Sequence, residues 1–318
     1  DQLQMSGIVN KTTKENVLLD PTCWFYIDLA NNTHLNSNDF AVVSPPKVSD
    51  FIKKGIKGKQ LSATLYNKKY ALTIEWKAML SDNANYIKQH VSIQTKDTIK
   101  ITKIGLINIP STNKFQSSGV VAGSPLTSKS IFCAIEHPLT ENDTVGSISS
   151  FIRRFEPLSK NKTLEFSAVW GVSPEDQLRR SFLYYLERER AVPYRQQLHY
   201  NSWYDISWVD RKMNEELCSD RISMFGDSLI VKRGINMNAF LFDDGWDNNK
   251  SLWQFNDGFP NGFSNMLKLA KKYNSSLGVW ISPWGGYDEA KIQRLQYGEQ
   301  QTPPFETNAN GFSLSGKN

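Results

Sequence analysis

The sequence predicts a multidomain β plus α/β fold: an N-terminal all-β sandwich, a connecting helix, then the first units of a β/α barrel. Three observations lead there. Over residues 1–172, apolar residues recur at every second position between turn clusters, the pattern of half-buried antiparallel strands. Over 173–195 a single amphipathic helical pattern intervenes. Over 196–318, short apolar runs about 40 residues apart alternate with helical patterns, as in successive βαβ units.

In the first part, Leu61, Ala63 and Leu65 alternate with Ser62, Thr64 and Tyr66, and Leu72, Ile74 and Trp76 with Thr73, Glu75 and Lys77. Val91 and Ile93 alternate with Ser92 and Gln94, and Ile99 and Ile101 with Lys100 and Thr102. Turn clusters such as Tyr66-Asn67-Lys68-Lys69 and Ser81-Asp82-Asn83 separate these runs. Ile135-Glu136-His137-Pro138 reads as a hydrogen-bonded turn before the proline, since an acid–His pair without a nucleophile makes no catalytic set.

The connecting helix is expected at about 173–190. Ser173 suits an N-cap, Pro174 and Asp176 suit the first turn, and Leu178, Phe182, Tyr185 and Leu186 form the apolar stripe. Arg188-Glu189-Arg190 reads as a solvated face, with an anion site as the alternative, and Pro193 marks the exit.

Three strand candidates follow. Leu198–Asp205, Asn238–Trp246 and Leu277–Gly286 each begin apolar or aromatic and end in polar residues, Trp or Gly. Leu217, Ile222, Met224, Phe225, Leu229 and Ile230 mark a helix over about 214–233, with Gly234 as its C′ residue. Met266, Leu267, Leu269 and Ala270 mark another over about 263–273, where Lys271 and Lys272 suit the C-terminal dipole. Barrel enzymes carry their site residues at the C-terminal ends of such strands.

The most informative stretch is Phe242-Asp243-Asp244-Gly245-Trp246. Adjacent carboxylates accept hydrogen bonds from sugar hydroxyls, and an indole covers the apolar face of a sugar ring. The alternatives are a helix N-cap with a packing Trp, or a metal site. The metal reading lacks neighbours, because His34, His90, His137 and His199 are scattered and only His199 lies near these strands. A retaining glycosidase needs two carboxyl groups about 5–5.5 Å apart across one bond. On a regular strand Asp243 and Asp244 point to opposite faces, so they are expected to bind rather than to cleave.

Phe242-Asp243-Asp244-Gly245-Trp246 and Leu277-Gly278-Val279-Trp280-Ile281-Ser282-Pro283-Trp284 resemble the second and third barrel strands of the α-galactosidase clan of retaining glycoside hydrolases. The match is to the branch of bacterial α-galactosidases and raffinose synthase-like proteins, and Asn201-Ser202-Trp203-Tyr204-Asp205 is similar to its first strand. The barrel resemblance covers about residues 198–318. It implies a β-supersandwich over 1–172, a connecting helix over 173–195 and the first part of a (β/α)8 TIM barrel over 196–318. It also implies a substrate pocket drawn from Trp203, Asp205, Asp243, Asp244, Trp246, Trp280 and Trp284. The partner it implies is an oligosaccharide or glycan with a terminal α-linked, galactose-like sugar, and it implies no cofactor. The family's nucleophile and acid/base lie on the fourth and sixth strands, and nothing after Gly286 reads as a strand ending in Lys-x-Asp. The chain is therefore expected to be a piece of a glycosidase without its catalytic carboxylates. A galactosyltransferase of the raffinose-synthase type and a non-catalytic carbohydrate-binding relative are the alternatives.

Composition is consistent with two globular domains. Its 37 basic and 32 acidic residues are intermixed, and no basic block or aromatic-basic module points to nucleic acid. No apolar run has the length of a membrane span. Cys23, Cys133 and Cys218 are too dispersed for a zinc motif or a disulfide framework. An exported location, periplasmic or extracellular, follows only from the glycan-degrading role. An interrupted barrel leaves open strand edges, so a homo-oligomer is expected.

Overall fold

The computed structural model describes residues 2–208 and 211–313, which form two compact units, Asp1–Pro193 and Tyr194–Asn318. The first unit is a sandwich of two antiparallel sheets. Its larger sheet has eight strands in the spatial order Gln116–Ser117, Leu126–Thr127, Ile131–Ile135, Thr163–Val172, Tyr86–Thr95, Leu72–Ser81, Ile56–Asn67 and Ala41–Lys53. The smaller has five, in the order Thr140–Asp143, Ile148–Arg153, Ile101–Ile109, Tyr26–Leu29 and His34–Asn36. Alternation decides which side chains meet between them. Ala63, Leu65, Leu72, Ile74, Trp76, Val91 and Ile93 are buried from the large sheet, against Ile27, Ile101, Ile104, Ile107 and Ile109 from the small one.

The Ile101–Ile109 strand departs from simple alternation for an identifiable reason. Lys103 pairs with Asp28 but Ile101 with Leu29, so Thr102 is an extra residue; Ile107 pairs with Ser150 but Gly105 with Phe151, so Leu106 is another. Each bulge reverses the phase of the side chains. Ile101, Ile104 and Ile107 therefore reach the same core although they are three residues apart. Pro45 and Pro46 lie in the outermost strand of the large sheet, where the register also slips, the place where a missing N–H is tolerated.

The helix runs from Leu178 to Glu189, shorter than expected. Gln177 occupies the N-cap position, while Ser173 is buried and donates from Oγ to the Pro174 carbonyl; Asp176 has φ +57°, which helix cannot continue through. Phe182 and Tyr185 pack on Phe132, and Tyr86 and Val169 complete that cluster, so this helix belongs to the first unit. Glu189 corrects the reading of a solvated face. It accepts hydrogen bonds from Lys88 at 2.8 Å and Tyr86 at 2.9 Å and pairs with Lys53 at 3.1 Å. Arg188 is also engaged, donating to the Tyr184 hydroxyl and to the Asp82 carbonyl.

In the second unit, His199–Asn201, Ala239–Phe242 and Ser276–Val279 form a parallel sheet in that order. The helix Glu215–Phe225 is capped by Asn214, whose side chain accepts the Leu217 N–H at 2.9 Å; it continues as a π-turn over Gly226–Val231. Gly234, at φ +64°, closes it with N–H bonds from Gly234 to Ile230 and from Ile235 to Leu229. The Ser264–Lys272 helix falls where its apolar stripe indicated. A further helix, Asp288–Glu299, occupies the stretch after Gly286 that does not read as a strand. Phe240, Phe242, Ile222, Met266 and Ala270 fill the core.

Candidate functional site

A cleft of about 420 Å³ opens at the C-terminal ends of the three parallel strands. Its lining comprises Trp203, Arg211, Asp243, Asp244, Trp280, Tyr287 and Asp288. Trp203 lies two residues beyond the first strand, Asp243 and Asp244 directly follow the second, and Trp280 directly follows the third. Arg211, Tyr287 and Asp288 come from the connections after the first and third strands.

The strand ends at Phe242, and this overturns the expectation that the two carboxylates face opposite ways. Past that point the backbone turns, and both side chains line the cleft. Two hydrogen bonds and a glycine shape the turn. The Asp243 N–H donates to Ser202 Oγ at 2.7 Å, tying the second strand end to the first. The Asp244 N–H donates to Asp243 Oδ1 at 2.9 Å. Gly245 has φ +118°, and a Cβ there would lie 2.3 Å from the Arg211 carbonyl oxygen. Glycine is thus required both by conformation and by the close passage of another backbone segment.

Asp244 is 6% exposed, and its nearest cationic partners are Arg211 at 3.7 Å and Arg294 at 3.8 Å, beyond hydrogen-bond length. Burial pushes its carboxyl above the usual range; Arg294 and Arg211 oppose that rise, while Asp247 and Asp243 add to it. It is a carboxylate with acceptor capacity left over, facing a cavity. A hydroxyl-bearing ligand would satisfy it.

Arg294 is fully buried. It donates to both oxygens of Asp247 at 2.8–2.9 Å, to the Gly285 carbonyl at 3.0 Å and to Asn249 Oδ1 at 2.9 Å. One guanidinium on the Asp288–Glu299 helix therefore clamps the loops that follow the second and third strands. Arg211 stands 5.5 Å from the Trp203 ring centroid and pairs with Asp288 at 3.2 Å. Trp280 and Tyr287 stack with centroids 6.3 Å apart.

Four of the seven residues singled out in the sequence come together here: Trp203, Asp243, Asp244 and Trp280. The other three are placed elsewhere. Asp205 is bound to Arg221 at 2.7 Å and to the Tyr200 hydroxyl at 2.8 Å. Trp246 is a core residue, 5% exposed, packed on Phe255 and Phe263, with its Nε1–H donating to the Trp280 carbonyl. Trp284 lies outside the cleft lining, its carbonyl accepting from Phe312 N–H. Ser202, Arg211, Tyr287, Asp288 and Arg294 were not anticipated. Ser202, inside the Asn201-Ser202-Trp203 motif, was the one with a readable signal. The acid–His segment of the first unit forms the expected turn, in which the Leu139 N–H donates to His137 Nδ1 and the Thr140 N–H to the His137 carbonyl.

In fold, with its two-sheet β-sandwich, the chain is similar to part of the GH36 α-galactosidases. An α-galactosidase of Geobacillus stearothermophilus, solved with stachyose, superposes with a TM-score of 0.52 at 13% identity, covering 83% of this chain and 46% of that one. An α-galactosidase of Lactobacillus brevis gives 0.54 at 13% identity, covering 87% and 46%. The chain thus spans about half the length of these proteins. The likeness is one of fold, and it bears out the resemblance drawn from the strand-end motifs. No family model matches the chain, and no curated protein does.

Proposed function

We propose that the chain is the sugar-recognising part of an α-galactosidase-like glycoside hydrolase, with the strand-end cleft as the seat of a terminal α-galactosyl or closely related residue. One observation carries this reading: two adjacent carboxylates and the aromatic rings of Trp203, Trp280 and Tyr287 converge on one cavity at the C-terminal ends of consecutive parallel strands. Asp243 and Asp244 accept hydrogen bonds from hydroxyls, Arg211 donates to a ring or hydroxyl oxygen, and the aromatic faces cover the apolar side of the sugar. Both carboxylates arise from one turn, so they grip one sugar instead of bracketing a glycosidic bond. They are binding groups, and the cleaving pair is not assigned to them. The three strands are, in this proposal, the opening strands of a (β/α)8 barrel. Hydrolysis with retention, by the longer protein, belongs to the same proposal, as does an exported location.

The test is equilibrium binding of galactose and melibiose to the wild-type chain, Asp243→Asn and Asp244→Asn. Loss of a charge-assisted hydrogen bond corresponds to roughly 1.5–3 kcal/mol, or about ten- to hundredfold in affinity. Unchanged affinity in both variants, with the fold intact by circular dichroism, removes the assignment.

A further inference from the structure

The first unit contains a second cavity of about 440 Å³, on the outer face of the eight-stranded sheet. Its floor is a set of side chains that alternation turns away from the core. The register places Lys77 beside His90 and His90 beside Ser167, and Glu75 beside Ser92 and Ser92 beside Glu165. Glu136 and His137 enter from the end of the neighbouring strand.

One wall is ordered in advance. Lys88 is held between Glu136 and Glu189, each at 2.8 Å, and Glu136 also accepts from Ser167 Oγ at 2.5 Å and from the Tyr185 hydroxyl. Lys88 is 9% exposed, so these charges are fixed within the protein rather than solvated. Beside them stands His90, half-buried, with neither ring nitrogen bonded to a protein group among the described residues. Burial, reinforced by Lys88, lowers its pKa, so the ring is neutral at pH 7 and offers one donor and one acceptor. Glu75, Glu165 and Lys77 have no ion-pair partner among the described residues.

The lining therefore mixes unused acceptors, an unused donor and an amphoteric ring, with opposite charges interleaved rather than segregated. A strong anion meets Glu75, Glu136 and Glu165, and a strong cation meets Lys53 and Lys77. A neutral ligand with many hydroxyls meets neither objection, because each hydroxyl both donates and accepts. We propose that this cavity is a second saccharide-binding site, on the sandwich itself, independent of the cleft in the other unit.

The chain has four histidines, so imidazole NMR signals report on the site directly. Stachyose is titrated into the full chain, with the His90 signal assigned through His90→Gln. Saturable shifts of His90 and His137, with His34 and His199 unmoved, are expected. They should persist in the Asp243→Asn/Asp244→Asn variant and weaken about tenfold in Glu75→Gln/Glu165→Gln, whose substitutions lie on the exposed sheet face. The absence of a saturable His90 shift overturns the proposal. So does its disappearance in the Asp243→Asn/Asp244→Asn variant, which would trace it to the cleft. Failure of the cleft reading alone leaves the His90 shifts in place.

Discussion

Asp244 and Gly245 show how much a site depends on single positions. The close passage of Arg211 leaves no room for a side chain at Gly245, whose φ is also unfavourable to one. Gly245→Ala is expected to destabilise the second unit by roughly 1–3 kcal/mol, to be read as a lowered denaturant midpoint. An unchanged midpoint would mean that the Arg211 backbone gives way freely. Arg294 makes a stronger case. Removing it leaves the Asp247 carboxylate buried without compensation, so Arg294→Met should cost roughly 3–5 kcal/mol, and pairing it with Asp247→Leu should recover much of the loss. Equal destabilisation in the single and double variants would refute the clamp.

The carboxylates of Asp243 and Asp244 were legible in the sequence because they directly follow an apolar run. Their shared orientation was not, because the opposite-face reading carries strand alternation two residues past the strand's end at Phe242. Trp246 and Trp284 are pocket candidates in the sequence because a tryptophan near an acid suits a sugar whether it faces a cavity or a core. Only packing on Phe255 and Phe263 decides the matter for Trp246.

Among the elements, the Leu178–Glu189 helix is held to its sheet by an apolar cluster and by Glu189. Burial alone would raise the Glu189 pKa; Lys88 outweighs it, with Tyr86 and Lys53, and brings it from the usual 4.5 down to about 2. A depressed carboxylate stabilises the fold above its unfolded pKa and loses that contribution as pH falls through the folded one. Stability of the first unit should therefore decline between pH 4.5 and 2, with Glu189 accounting for roughly 1–3 kcal/mol. Thermal melts across that range should show a shallower decline in Glu189→Gln. Equal slopes would remove Glu189 from the acid transition. The helix stripe was readable from spacing. Its late start was not, because Ser173 and Pro174 carry the chemistry of a helix start while being used by a turn.

At the scale of the whole molecule, the parallel sheet has only three strands among the described residues, and both outer strands pair on one side only. Such edges offer free backbone donors and acceptors. The chain alone is expected to self-associate with concentration, and sedimentation velocity across a tenfold range would show it. A single species throughout would mean that the edges are covered. No helix is long and apolar enough to cross a membrane among the described residues.

By itself the sequence determined the periods: alternation in the first part, three apolar runs separated by helical stripes in the second, and acids and tryptophans at the ends of those runs. These are local properties, set by which side of an element each residue faces. The tertiary structure alone decided which of those residues share a cavity. It placed Arg211, Tyr287 and Asp288 beside the acid pair, set Arg294 beneath it, and withdrew Trp246 into the core. A cleft is the meeting of several loops, and how far each loop turns depends on long-range contacts such as Ser202 with Asp243 and Arg294 with Asp247, which leave no periodic trace in the chain.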